Sequence, residues 1–253
     1  MNTQILWLVF TGFSVLEMIA EGRSVLGGKL IRWPINIGLL LICAAVSSII
    51  PSLLVLTTLI VGNYQNGLLA MLGNNFWLQV AAWLMSSTFI GYWVHRAFHT
   101  LPFLWRFHKV HHSDTKLDAT TGFRHHPGEM IISYLFILGP LLVLRPTPEA
   151  ILIVAFFEAI VDMFTHSNLP LNSSIDRILG TVLVTPRIHN FHHSTYQPET
   201  DSNYSGAFVI WDKMFGSFTD KDKRDPSEFR FGLDDVPKAE AEDLVKALVS
   251  PFR

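Results

Sequence analysis

Charge is scarce in this chain, and its absence is uneven. Only 16% of the 253 residues are Asp, Glu, Lys or Arg, against roughly 25% in ordinary soluble domains. Before His95 the charged residues are Glu17, Glu21, Arg23, Lys29 and Arg32, so 35 of the 40 follow it. A net charge of −2 removes the electrostatic case for nucleic acid. Cysteine is nearly absent too. The single thiol, Cys43, excludes an intrachain disulfide and a thiolate metal cluster, so any metal must be held by nitrogen or oxygen. The HExxH pairing of a zinc hydrolase is missing, and there is no internal repeat or low-complexity tract.

Apolar runs stand where the charge is not. A membrane-crossing helix needs about 20 mostly apolar residues. Residues 5–20, 35–62 and 76–94 offer three such runs, the first interrupted by Glu17 and the second with a kink expected at Pro51. No basic stretch precedes the first run and no A-x-A site follows it, which predicts a retained helix rather than a cleaved leader. Two shorter runs, 130–144 and 150–164, flank Arg-Pro-Thr-Pro-Glu and predict a helical hairpin that crosses obliquely or enters and returns.

Lysine and arginine placement sets the expected orientation. Arg23, Lys29 and Arg32 follow the first run, residues 63–75 carry no charge, and Arg96, Arg106, Lys109, Lys116 and Arg124 follow the third. This puts the segments after residue 94 on the cytoplasmic side. The expected fold class is all-α: an integral membrane helical bundle with a cytoplasmic, histidine-rich helical catalytic cap. Residues 1–94 would be transmembrane helices 1–3, 95–233 the catalytic region including the hairpin 130–164, and 234–253 a C-terminal amphipathic helix, all in one structural domain.

All eleven histidines lie between residues 95 and 193. They are spaced as His95-x3-His99, His108-x2-His111-His112, His125-His126, a lone His166, and His189-x2-His192-His193. Residues three and four apart share a helix face, so the larger sets can each aim their imidazoles one way. Imidazole is the commonest nitrogen ligand for iron, zinc and copper. One histidine pair would say little. Two HxxHH sets with an HxxxH exceed the four ligands of a structural zinc site and suit two metal ions with four or five nitrogens each.

The ordered set HRxxH (95–99), FHxVHHS (107–113), FRxHP (123–127), HSN (166–168) and HxxHH (189–193) resembles the fatty acid hydroxylase / sterol desaturase superfamily. So does the tail, with NYSGAFVIWDKMFGSF (203–218) and FGL (231–233), and the resemblance runs from about Trp93 to Leu233. It implies two Fe ions, a histidine-held di-iron centre in the membrane, using O2 to hydroxylate or desaturate a lipid such as a sterol or fatty acyl chain. Carried over by motif, the catalytic metal ligands would be His95, His99, His108, His111, His112, His126, His166, His189, His192 and His193. His125 fills a variable slot and is expected beside the ligands or in a structural role. Breaking an unactivated C–H bond is beyond side-chain acid–base chemistry and needs a redox cofactor. Imidazoles at the rim of a helix bundle can meet both a lipid chain and an aqueous reductant.

Glu158, Asp162 and His166 recur every four residues along one helix face. Ionisable groups in apolar segments are costly and face a polar interior. Asp162 and Glu158 are therefore expected to hydrogen-bond metal-bound imidazoles, the alternative being a packing carboxylate paired with Arg124 or Arg187. Asp201 and Asn203 are candidates for the same role. His126-Pro127-Gly128 is followed by Glu129 and an apolar run, which leaves no room for a fused haem-binding cytochrome domain. Electrons would come from an external donor: cytochrome b5, a ferredoxin or reductase, or a reduced pterin. A histidine-rich membrane metal-binding or transport protein is the alternative class, but the histidines do not ladder through the first three runs. The short chain favours a bacterial inner membrane over the endoplasmic reticulum.

Overall fold

The computed structural model describes residues 3–19, 29–49, 62, 64–73, 75–220 and 229–253. Pro51, Arg23 and most of the second half of the run 35–62 lie outside them. Among the described residues the fold is all-α, apart from one isolated bridge between Leu183 and Phe208.

Helices α1 (Thr3–Ile19) and α2 (Lys29–Ile49) come first, followed by α3 (Phe76–Thr100). Asn75 starts α3 by accepting a hydrogen bond from the Leu78 amide at 3.1 Å. Its 25 residues extend about 37 Å, more than the roughly 30 Å of a bilayer core. Its last turns bear His95 and His99. α3 stops because Pro102 excludes the helical conformation from Leu101, which sits at φ −101°, ψ 114°. Pro102 then opens α4 (Pro102–His112), folded against α3.

Two further helices each begin with proline after a capping side chain. They are α5 (Pro127–Leu144), capped by His126, and α6 (Pro148–His166), capped by Thr147. The expected hairpin is thus two consecutive helices, with Arg145 left-handed at φ 47° between them. Both pack on α3: Leu141 of α5 and Ala150 and Val154 of α6 share one apolar cluster with Val80 and Trp83. The windows Lys29–Val46 and Pro127–Leu144 are long and apolar enough to cross a membrane. α3 and α6 have the length but turn polar side chains inward, Ser87, Thr88 and Tyr92 on one and Thr165 and His166 on the other.

Short helices complete the chain: α7 (Ser173–Leu179), α8 (Pro186–His192), α9 (Gln197–Thr200), α10 (Ile210–Phe215), α11 (Lys238–Ala241) and α12 (Leu244–Val249). The single C-terminal helix expected from the sequence is two helices, because Asp243 is extended and caps α12 by accepting from the Lys246 amide at 2.9 Å. Ala247 of α12 packs against Ile35 and Leu39 of α2 and Val110 of α4.

Arg32 reads in the sequence as a loop charge, but it lies in α2 and is 1% exposed. Its guanidinium donates to Asp114 Oδ2 at 2.8 Å and to Asp118 Oδ2 at 2.9 Å. Burial alone would raise the Asp114 carboxyl, yet the Arg32 charge holds it at about 2. Arg124, also buried, donates to Asn36 Oδ1 at 3.0 Å and to the Val110 carbonyl at 2.8 Å. This polar plug fixes the first turns of α2 beside the loop that follows α4. Removing one partner of a buried pair strands the other charge, at a cost of about 3–5 kcal/mol. Arg32→Met should destabilise the protein on that scale in detergent-solubilised denaturant melts. Arg32→Lys should restore only part of it, because an ammonium lacks the bidentate fork.

Candidate metal centre

Nine imidazoles converge in two adjoining groups. His95, His99, His108, His112 and His192 form one, and His111, His166, His189 and His193 the other; within each, one nitrogen per residue lies within 4.8 Å of the rest. Helix geometry explains the partition. Residues i and i+4 lie about 40° apart around the axis, whereas i+3 falls about 60° to the other side. α4 accordingly sends His108 and His112 to the first group and His111 to the second. The second HxxHH motif does the reverse: His189 and His193 go to the second group, His192 to the first. α3 gives both its histidines to the first group, and α6 ends on His166 in the second. The groups abut where the His112 and His193 rings stack, 4.4 Å between centroids.

The imidazoles are oriented from behind. Nδ1 of His95 donates to the Tyr204 carbonyl at 2.7 Å, that of His192 to the Ser202 carbonyl at 2.7 Å, and that of His166 to the Asp162 carbonyl at 2.8 Å. His108 Nδ1 donates to Glu129 Oε1 at 2.7 Å. With the proton on Nδ1, the Nε2 of each of these four carries a lone pair, and those of His95 and His108 face each other. Nε2–Nε2 separations are 3.0 Å for His95–His108, 3.2 Å for His108–His112, 3.2 Å for His111–His166 and 3.0 Å for His166–His189. The lone pairs of His95 and His108, so close, repel unless a cation lies between them. A proton is a poor candidate, since burial, reinforced by neighbouring imidazoles, pushes His111, His112, His189, His192 and His193 well below their usual range. The donor set fits a metal ion of the imidazole-binding class: iron, zinc, copper or nickel. Five donors in the first group are more than tetrahedral zinc takes.

Glu129 is the member that sequence reasoning missed; it figured there only as the residue that breaks a haem-binding pattern. It is 6% exposed and accepts from both His108 and His125, the latter at 3.1 Å. The spacing His125-x3-Glu129 at the start of an apolar helix was the available signal. His125 itself stacks flat on His111, 4.7 Å between centroids. Burial would lower its pKa, but the Glu129 carboxylate overrides this and lifts it to about 9. Carboxylates that orient metal-bound imidazoles are typically worth 10–100-fold in metal affinity. Glu129→Gln should weaken metal binding by about that factor in titrations of the purified protein, and an unchanged affinity would deny it the role.

Other expected site residues divide. His126 is a correction: its Nδ1 caps α5 by accepting from the Gly128 amide at 2.9 Å, and its Nε2 donates to the Leu248 carbonyl at 3.1 Å. Both nitrogens are committed to backbone, and it joins neither group. Asp162 Oδ1 lies 3.3 Å from His166 Nδ1, and Asp201 Oδ1 lies 3.4 Å from His99 Nδ1. The loop passes Asp162 so closely that a β-carbon at Gly122 would collide with the carboxylate. Arg124 and Arg187 are engaged elsewhere, Arg187 with Asp176 and Asp220. Glu158 and Asn203 hold partners other than an imidazole. Glu158 accepts from Ser87 of α3. Asn203, left-handed at φ 50°, binds the Ile188 and Thr219 carbonyls and so shapes the loop whose Ser202 and Tyr204 carbonyls face the imidazoles.

A cavity of about 420 Å³ opens onto this layer. His95, His108, His111, His166 and His189 line it at the metal-site end, with Ile90, Val94 and Phe98 of α3 and Met130 and Ile137 of α5 as apolar wall.

A family model described as "Fatty acid hydroxylase" matches residues 80–217. The chain is 33% identical over 143 residues to the alkylglycerol monooxygenase of Danio rerio, covering 54% of this chain and 31% of that protein. It is 29% identical over 174 residues to an ornithine lipid hydroxylase of Rhizobium tropici, covering 69% and 50%. It is also 29% identical over 147 residues to a very-long-chain aldehyde decarbonylase of Oryza sativa subsp. indica, covering 58% and 53%. The chain therefore spans between about a third and a half of the length of these curated relatives. No solved structure matches it.

Proposed function

The chain belongs to the fatty acid hydroxylase family, and on that footing we propose that it is a membrane oxidoreductase that uses O2 to hydroxylate a long-chain lipid, with one iron ion held in each imidazole group. Bound iron would supply the redox chemistry that C–H cleavage requires. The rest falls to the protein. His95, His99, His108, His112 and His192 would hold one ion, and His111, His166, His189 and His193 the other. Neutral ligands leave the positive charge of both ions uncompensated by carboxylate. Glu129, Asp162 and the Ser202 and Tyr204 carbonyls keep the Nε2 atoms turned inward. The apolar wall of α3 and α5 would take the lipid chain, exclude water and present one carbon to the histidine layer. Nine imidazoles converging beneath an apolar cavity are the observation that carries this reading.

Hydroxylation is preferred to desaturation because two of the three relatives described are named as a monooxygenase and a hydroxylase. Electrons would come from a separate redox protein or a reduced pterin. Arg96, Arg106, Lys109 and Lys116, at the histidine-bearing end of α3 and beyond, favour a cytoplasmic histidine layer, in a bacterial inner membrane. Comparative lipidomics of cells with and without the gene, grown under 18-O-labelled oxygen, tests the reading. A new lipid carrying one labelled hydroxyl is expected; loss of two hydrogens without label would mean desaturation, and no change in any lipid would refute it.

A further inference from the structure

We propose that Gly91 and Gly206 set how long a lipid segment the cavity admits. Gly91 lies inside α3, where glycine weakens a helix by about 1 kcal/mol relative to alanine. Its backbone does not need glycine: among the described glycines the positive φ values belong to Gly73, Gly216 and Gly232. Packing does not need it either, since a β-carbon at Gly91 or at Gly206 would meet nothing within 4 Å. Gly122 and Gly128 differ in this respect, because a β-carbon there would strike Asp162 or Phe107.

What Gly91 and Gly206 share is the cavity, which both line. They also share a neighbour. Gly91 stands one helical turn before His95, and Gly206 follows by two residues the Tyr204 whose carbonyl holds His95 Nδ1. The two missing side chains thus leave open the part of the cavity beside His95. A leucine at either position grows into the room that an alkyl chain would occupy. In an apolar pocket one methylene shifts discrimination by about 10–200-fold.

This inference rests on the cavity taking a lipid chain, but its test need not rest on oxygenation. The purified protein as isolated, kept under argon so that no turnover occurs, would be loaded with fluorescent cis-parinaric acid, and stearate and dodecanoate would compete for it. Gly91→Leu and Gly206→Leu should each lower the stearate-to-dodecanoate competition ratio by about tenfold or more, with Gly91→Ala close to the parent. An unchanged ratio in both leucine variants would overturn the proposal. So would an equal loss in the alanine and leucine variants, which would mark a backbone effect. In cells under labelled oxygen, the leucine variants should move label toward shorter lipids at unchanged metal content. If the parent protein labels no lipid, the oxygenase reading fails while the competition ratio still decides the role of the glycines.

Discussion

His193→Ala should abolish oxygen insertion and halve the bound iron. His193 Nε2 lies 3.1 Å from His189 Nε2 and 3.3 Å from His166 Nε2, so its loss leaves the second group with three imidazoles. The ring is 2% exposed and stacks on His112, so alanine also opens a void against the first group. Turnover should fall by about 10³-fold or more, as when one member of a unit-acting catalytic set is removed. Metal analysis of the purified variant should give about one ion per chain, with helix content by circular dichroism unchanged. Retention of both ions, or of labelled product at parental levels, would place His193 outside the centre. Lost product at full metal content would assign it to substrate positioning instead.

The metal-free protein should collapse in mild acid. His111, His112, His189, His192 and His193 are all depressed well below 6.5, first by burial and then by one another. Each stays neutral in the fold and takes up a proton on unfolding once the pH drops below 6.5. The unfolded chain then binds more protons, so stability is whole above that value and declines as pH falls toward the depressed folded values. One such group contributes up to about 1.4 kcal/mol per pH unit. Several such groups together make the decline steep against a typical stability of about 5–15 kcal/mol. Thermal melts between pH 8 and 5 should show the midpoint falling steeply below 6.5. A bound metal ion would occupy the same nitrogens, so the loaded protein should hold its midpoint to lower pH and fail where the metal is released. A flat profile for the metal-free protein would show that these imidazoles are not held neutral in the fold.

Much of the centre is written in the spacing of the histidines, because HxxHH on a helix can present all three imidazoles to one side whatever surrounds it. Nine of the ten expected ligands do meet. The tenth, His126, was carried by motif alone; the proline after it opens a helix, and its ring became the cap of that helix. Glu129 escaped because its partner His108 is 21 residues away in sequence. The Ser202 and Tyr204 carbonyls were invisible for a plainer reason: every residue has a carbonyl, and only the fold says which ones face an imidazole. Arg32 was misplaced for a related cause. Charge counting treats arginine as solvated, and nothing in residues 29–36 announces that Asp114 and Asp118 lie across from it.

The crossed allegiance of the two HxxHH motifs makes the halves of the centre interdependent. Each of these short helical segments has histidines pledged to both positions, so seating an ion at one fixes the rotation of a segment that the other also uses. The ordering cost of the vacant position falls accordingly. That gain works against the mutual repulsion of two cations, so a chain that has lost one position should hold its remaining ion more loosely than the parent does.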